Sequence, residues 1–223
     1  MPRESQPVIT FNDLDTQNDG FSVFVPGHMI DKPERTNTRF PSESMLDVRG
    51  TLWNKLNEIN CTHGIRRLIC SGTAGVDLLA VEWILPNNIA GDLYLPYDQE
   101  TFIENAVAYG DLKEYWTKIF SRAERSPKVR LHTPNLSDGS FPTRERVEEL
   151  SEQSGDAYQH YVDLNVHMVN RLKPNDLVIA YWDGKGGDAP GGTEHAVRLA
   201  AQRGASYVIL NKGIKNVTET YPL

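Results

Sequence analysis

Residues 177–200 read Leu-Val-Ile-Ala-Tyr-Trp-Asp-Gly-Lys-Gly-Gly-Asp-Ala-Pro-Gly-Gly-Thr-Glu-His-Ala-Val-Arg-Leu-Ala. An apolar run with the length of a buried strand, Leu177 to Trp182, enters a loop containing five glycines. That loop opens directly into an apolar-periodic helix beginning at Thr193. Glycine allows positive φ and lets backbone approach a ligand without a side chain in the way. The N–H groups and positive dipole end of a helix start attract an anion. Strand, glycine loop and helix N-terminus together describe a phosphate cradle, although the same order also serves as a plain connector in α/β proteins.

A second segment repeats the design. Residues 67–83 run from a strand through Ser71, Gly72, Thr73, Ala74 and Gly75 into a helix that begins near Val76. A third and shorter case is the strand at 21–26, which ends in Gly27 and His28. In open parallel sheets ligands bind outside the carboxyl ends of the strands, where such loops gather. Three loops of this kind favour a ligand site over three connectors.

Strands are expected at 21–26, 65–70, 92–95, 128–132, 176–182 and 206–211, the last being the final strand. Helices are expected over residues 45–59 (with Ser42 or Ser44 as cap), 76–85 (stopped by Pro86), 158–172 and 193–203. Phe102, Tyr109, Trp116 and Phe120 suggest one long helix over 102–122, and a short helical piece is expected near 144–151. Strand and helix alternate, and the strands are apolar on both faces. The expected fold is therefore α/β: a Rossmann-like three-layer fold with a mainly parallel sheet and helices on both faces. Residues 1–20 read as a polar N-terminal arm, and 21–223 as a single domain.

A net charge of −7 argues against broad nucleic-acid or anionic-membrane binding, while leaving room for a local pocket of arginines. With 39% hydrophobic and 24% charged residues the chain is of globular composition. Cys61 and Cys70 have no metal-ligand spacing, and His160 and His167 lack a third ligand, so no metal is expected. No cofactor is expected either. The polar start carries no signal peptide and no run is long enough to span a bilayer, which points to the cytoplasm.

The motifs Ser71-Gly-Thr-Ala-Gly-Val-Asp77 with Ala80 and Glu82, Leu95-Pro96, Trp182-Asp183-Gly184 and Gly191-Gly-Thr-Glu-His-Ala196 resemble the SLOG superfamily over residues 21–211. That group includes the lonely-guy phosphoribohydrolases, DprA-like and molybdenum-cofactor-carrier-like proteins, and sensor domains of bacterial antiviral systems. The resemblance implies a Rossmannoid domain that binds a nucleotide-derived small molecule, such as an NAD-derived or cyclic ADP-ribose-type signal. The ligand would be lined by Gly27, His28, residues 71–75 and Gly191, Gly192 and Thr193. It also implies a homodimer or tetramer, for which the aromatic face of residues 102–122 is the expected surface.

Lonely-guy enzymes carry Pro-Gly-Gly-x-Gly-Thr-x-x-Glu, whose glutamate takes part in N-glycosidic cleavage. Here Pro190-Gly191-Gly192-Thr193 lacks two residues of that pattern, and Ala196 stands where the carboxylate would be. Glu194 lies about 200° around the helix from that position. Sensing or sequestration without cleavage is the first expectation. A nucleoside or nucleotide N-glycosidase using Glu194 or Asp77 is the second, and an interaction module with a vestigial cradle the third.

Several further residues are candidates with two readings each. Asp77 either accepts from a ribose hydroxyl or interacts with its own helix dipole. Arg35 and Arg39 either clamp phosphates or are solvated loop residues. Tyr181 and Trp182 either stack on a base or belong to the core, with Asp183 beside them. His195 either contacts phosphate or base, or is a partly exposed first-turn residue.

Overall fold

The computed structural model describes residues 20–108, 110–136, 139–155, 158–174, 176–186, 190–211 and 214–217. The expected N-terminal arm lies outside these residues, apart from Gly20. Seven strands form one sheet: β1 (Phe21–Phe24), β2 (Ile65–Cys70), β3 (Ala90–Tyr94), β4 (Val129–His132), β5 (Leu177–Tyr181), β6 (Ser206–Asn211) and β7 (Ile214–Val217). Their order is β4-β3-β2-β1-β5-β6-β7. The first six are mutually parallel, and β7 returns antiparallel to β6. The Rossmann-like expectation holds, with an additional hairpin strand where the chain was expected to end its sheet at β6.

Parallel neighbours require crossovers, and helices supply them. They are α1 (Met45–His63), α2 (Val76–Asn87), α3 (Gln99–Phe102), α4 (Lys113–Glu124), α5 (Arg144–Ser154), α6 (Gln159–Asn170) and α7 (Thr193–Gln202). Successive strand residues point to opposite faces, which divides the core in two. Val23, Leu68, Cys70 and Leu93 pack with α1, α2 and α4. Phe24, Ile69, Tyr94, Val178 and Ala180 pack with Leu164 and Met168 of α6 and Ala196 and Ala200 of α7. The result is helix, sheet, helix.

Within the first layer α2 is buried along one side and the other, from Val76 through Ala80 to Ile84. It lies among α1, α4 and the sheet. Trp53 Nε1 of α1 donates to Leu79 O (2.9 Å), and Trp83 Nε1 of α2 donates to Asn57 Oδ1 (2.9 Å). These two indole N–H groups are thereby satisfied.

Four local expectations need correction. The helix over 102–122 is not continuous: a π-helical turn, Ile103–Val107, follows α3, and α4 starts at Lys113 after a bend in which Gly110 has φ +69°. Phe102, Trp116 and Phe120 are buried in the chain's own core, so they offer no surface to a second copy; Tyr109 lies outside the described residues. Ser44 stands at the start of α1 without a side-chain cap bond, because Ser42–Ser44 form a 3-10 turn that leads into the helix with helical φ and ψ. Pro86 sits inside the last turn of α2, and the helix ends at Asn88 in the left-handed region (φ +59°). Among the described residues no helix is long and apolar enough to cross a membrane.

Candidate functional site

The strand order runs outward in one direction from β1 to β4 and in the other from β5 to β6. Chain direction therefore reverses between β1 and β5, and the loops leaving these two neighbours part company there. Such a reversal opens a crevice at the carboxyl edge of a parallel sheet. A cleft of about 300 Å³ occupies that place, lined by Gly27 and His28 after β1 and by Trp182 after β5. Its size lies at the small end of the range of small-molecule sites. A second lobe of about 830 Å³ continues from it beneath α5 and α6.

Most of the expected residues meet in the first lobe. Gly27, His28, Arg35, Arg39, Ser71, Thr73, Asp77, Trp182, Gly191, Gly192, Thr193 and Glu194 all line it. Gly72, Ala74, Gly75, Asp183 and His195 are not part of its lining. Residues 187–189 of the glycine loop lie outside the described residues.

The expected reason for the glycines is also corrected. A Cβ on Gly27 would lie 2.4 Å from the Val76 Cβ of α2. One on Gly75, whose φ is +133°, would lie 2.7 Å from His28 O. The missing side chains let the start of α2 close onto the loop after β1. Met29 and Gly75 form an antiparallel bridge there, and Ile30 N donates to Ala74 O (2.9 Å). In the Pro190–Thr193 turn the positive φ belongs to Gly191 (+84°), whose Cβ would strike the α6 backbone at Tyr161. Gly192 is extended (φ −76°), a conformation open to any residue.

Asp77 is 2% exposed, and its Oδ2 collects the whole 71–73 turn. It accepts from Ser71 Oγ (2.5 Å), Ser71 N (3.2 Å), Thr73 Oγ1 (3.1 Å) and Thr73 N (3.3 Å). Burial raises its pKa above the usual carboxylate value, partly offset by the bonds from Ser71 and Thr73. Its first duty is to shape this loop, which neither reading of the sequence contained.

The loop after β1 is shaped in the same way by Asp31, whose Oδ2 accepts the N–H groups of Arg39 and Phe40 (2.8 Å each). That brings both arginines to the cleft. Arg35 Nε lies 3.3 Å from Asp31 Oδ1, and Arg39 Nη2 donates to Gly186 O (3.0 Å), joining the β1 loop to the β5 loop. Lys185 adds a third cation to the lining.

His28 is buried, and its Nε2 is 3.4 Å from both Asp183 Oδ1 and Asp183 N. Burial lowers its pKa; Asp183 works against this, while Arg39 and Arg35 add to it. Nε2 is placed to accept the Asp183 N–H. For Asp183 burial is unfavourable to the charge, but the Lys185 N–H, His28 and Arg39 outweigh it and hold its pKa below the usual value.

Glu194, in the first turn of α7, is tied down by Arg198 one turn later, with Oε1 accepting from Nε (2.8 Å) and Nη2 (2.7 Å). Gly192 at the helix start has no side-chain cap bond among the described residues. The first-turn N–H groups of α7 thus keep the donor capacity typical of an anion-binding helix start.

One wall escaped the sequence reading altogether. Tyr158, Tyr161, Asn165 and Met168 of α6 and its approach line the lobe. Asn165 is buried, and its Nδ2 donates to Gly191 O (2.5 Å) and lies 3.4 Å from His195 Nδ1. It holds the cradle turn against α6. The available signal was an amide within the apolar stripe of Tyr161, Leu164 and Met168.

Among the described residues no group of three potential metal ligands occurs. Neither the models of known protein families nor the curated proteins yield a match to this chain. What the cleft binds therefore has to follow from its own chemistry.

Two outcomes follow from the packing. Gly27→Ala should cost about 1–3 kcal/mol in urea unfolding, as overpacking does, because Val76 is backed by a core that cannot yield. His28, His167 and His195 are all lowered from 6.5 by burial. The native state therefore binds fewer protons than the unfolded chain below that pH, so stability is complete above 6.5 and falls as pH drops through it. Melting temperatures between about pH 7.5 and 5 should show this decline, and His28→Asn should flatten its slope.

Proposed function

We propose that the cleft binds a nucleotide-derived small molecule and holds it without cleaving it, as a sensor or a sequestering protein. The carrying observation is the coincidence, at the strand-order reversal, of the α7 N-terminus with Arg35, Arg39 and Lys185. The ligand's phosphate would sit on the N–H groups of the Gly191–Thr193 turn, facing these cations. Trp182, half-buried on the rim with Nε1 donating to Lys185 O (2.7 Å), offers a flat face to a base. Membership of the SLOG superfamily belongs to the same proposal, supported by the presence of both motif loops in one cleft.

Restraint of the two acids favours binding over hydrolysis. A glycosidase needs a carboxylate able to approach the anomeric carbon or its water. Glu194 is engaged by Arg198, and Asp77 Oδ2 by the 71–73 turn. Asp77 lines the lobe, and its Oδ1 makes none of the four bonds to that turn, which suits it to accept from a ribose hydroxyl.

Mass spectrometry of small molecules released from the purified, denatured protein should find a nucleotide-derived compound. With that compound in hand, calorimetry on Gly192→Val should show binding abolished. The extended backbone at position 192 is open to any residue, so the loss does not report backbone strain, and an unchanged melting temperature would assign it to occupied ligand space. Glu194→Gln should cost binding no more than about 1–2 kcal/mol. Wild-type release of free base from nucleoside monophosphates, lost by orders of magnitude in Glu194→Gln with binding intact, would replace the binder with a glycosidase.

A further inference from the structure

We infer that the ligand is a dinucleotide, two nucleosides joined through a pyrophosphate, with its phosphates between β1 and β5 and its second ring system beneath α5. This rests on the reading of the cleft as a nucleotide site and specifies what that site selects.

The two lobes adjoin. Ser71, Thr73, Tyr161, Asn165, Met168 and Gly191 line both, so one sufficiently long molecule lying along this shared wall would face both. Their chemistry differs. The first lobe sets three cations, Arg35, Arg39 and Lys185, against two acids, Asp77 and Glu194, which leaves it net positive, and Trp182 is a partly exposed ring that it does not share with the second. In the second, Lys32 and Arg144 are balanced by Glu148 and Glu152, and Arg144 Nε lies 2.7 Å from Glu148 Oε1. That lobe has no net charge to offer a phosphate.

It offers rings instead. Tyr97, Phe102, His160 and Tyr161 line it, with centroid separations of 6.2 Å for Tyr97–Phe102, 6.3 Å for Tyr97–His160 and 3.9 Å for His160–Tyr161. Flat aromatic ligands are held by such walls through stacked and edge contacts. Tyr97 and Tyr161 also bring hydroxyls to this wall. Tyr158 is 44% exposed, a large aromatic left open to solvent, and it lines both lobes.

A mononucleotide has one ring and one phosphate group, and the smaller lobe can serve both. It would leave the larger, ring-lined lobe without an occupant, whereas binding sites bury most of their ligand against a mainly apolar lining. A dinucleotide matches the order found along the cleft, which is ring, phosphates, ring.

The test uses calorimetry with AMP, NAD+ and diadenosine diphosphate on the full chain. Asn105→Trp and Ser151→Trp place bulk in the second lobe from two different walls. Unchanged melting temperatures would confirm that both variants fold. At least one dinucleotide should bind the wild type about tenfold or more tightly than AMP. Each variant should remove that advantage while leaving AMP affinity within about twofold. AMP binding as tightly as either dinucleotide, or variants that weaken all probes equally or none, would overturn the dinucleotide and leave the nucleotide site standing. Absence of binding by all three probes would overturn both.

Discussion

The closure of α2 onto the loop after β1 is the constraint on which the rest of the carboxyl edge depends. It requires two positions without side chains, Gly27 against Val76 and Gly75 against the backbone of residues 28–30. Once these surfaces touch, Val76 N donates to His28 O and Ile30 N to Ala74 O, and the β1 loop is registered against the β2 loop. Arg39 then reaches Gly186 O, and Asp183 reaches His28, so the β5 loop is registered too. Three loops that leave separate strands become one wall through backbone approach.

Much of this was legible in the chain. Strands β2 and β6 fall where short apolar runs place them, and the adjacency of β1, β2 and β5 agrees with their three glycine-bearing ends. The reason assigned to the glycines was not legible. Sequence shows that a side chain is absent, and not whether a ligand or another piece of protein fills the space. The helix over 102–122 failed for a related reason: Phe102, Trp116 and Phe120 keep a helical spacing across a bend, because both pieces bury their rings in the same core. Asn165 was passed over because a polar residue in an apolar stripe gains meaning only when its partner, Gly191 O, is known. The α6 wall depends on tertiary packing alone.

Charge is distributed unevenly between the molecule and its cleft. The chain carries a net −7, yet Arg35, Arg39 and Lys185 converge on the first lobe with the N-terminus of α7. The acids nearby are committed: Asp31 to the β1 loop, Asp77 to the β2 loop, Asp183 to the β5 loop and Glu194 to Arg198. Three of the four thus fix a loop through backbone N–H groups. These three carboxylates are part of the scaffold that places the cations along the cleft.

The same commitments are what support the proposed reading of the cleft as a binder. A general acid or base needs a proton site facing the reacting atoms. Asp77 Oδ2 accepts four, and Glu194 Oε1 receives a two-pronged guanidinium. Moving Asp77 would undo the 71–73 turn, and moving Glu194 would give up its exposed pairing with Arg198. Binding asks for neither. Under the proposed reading, the start of α7, which has no side-chain cap bond among the described residues, would receive a phosphate and the aromatic rings of the cleft a base.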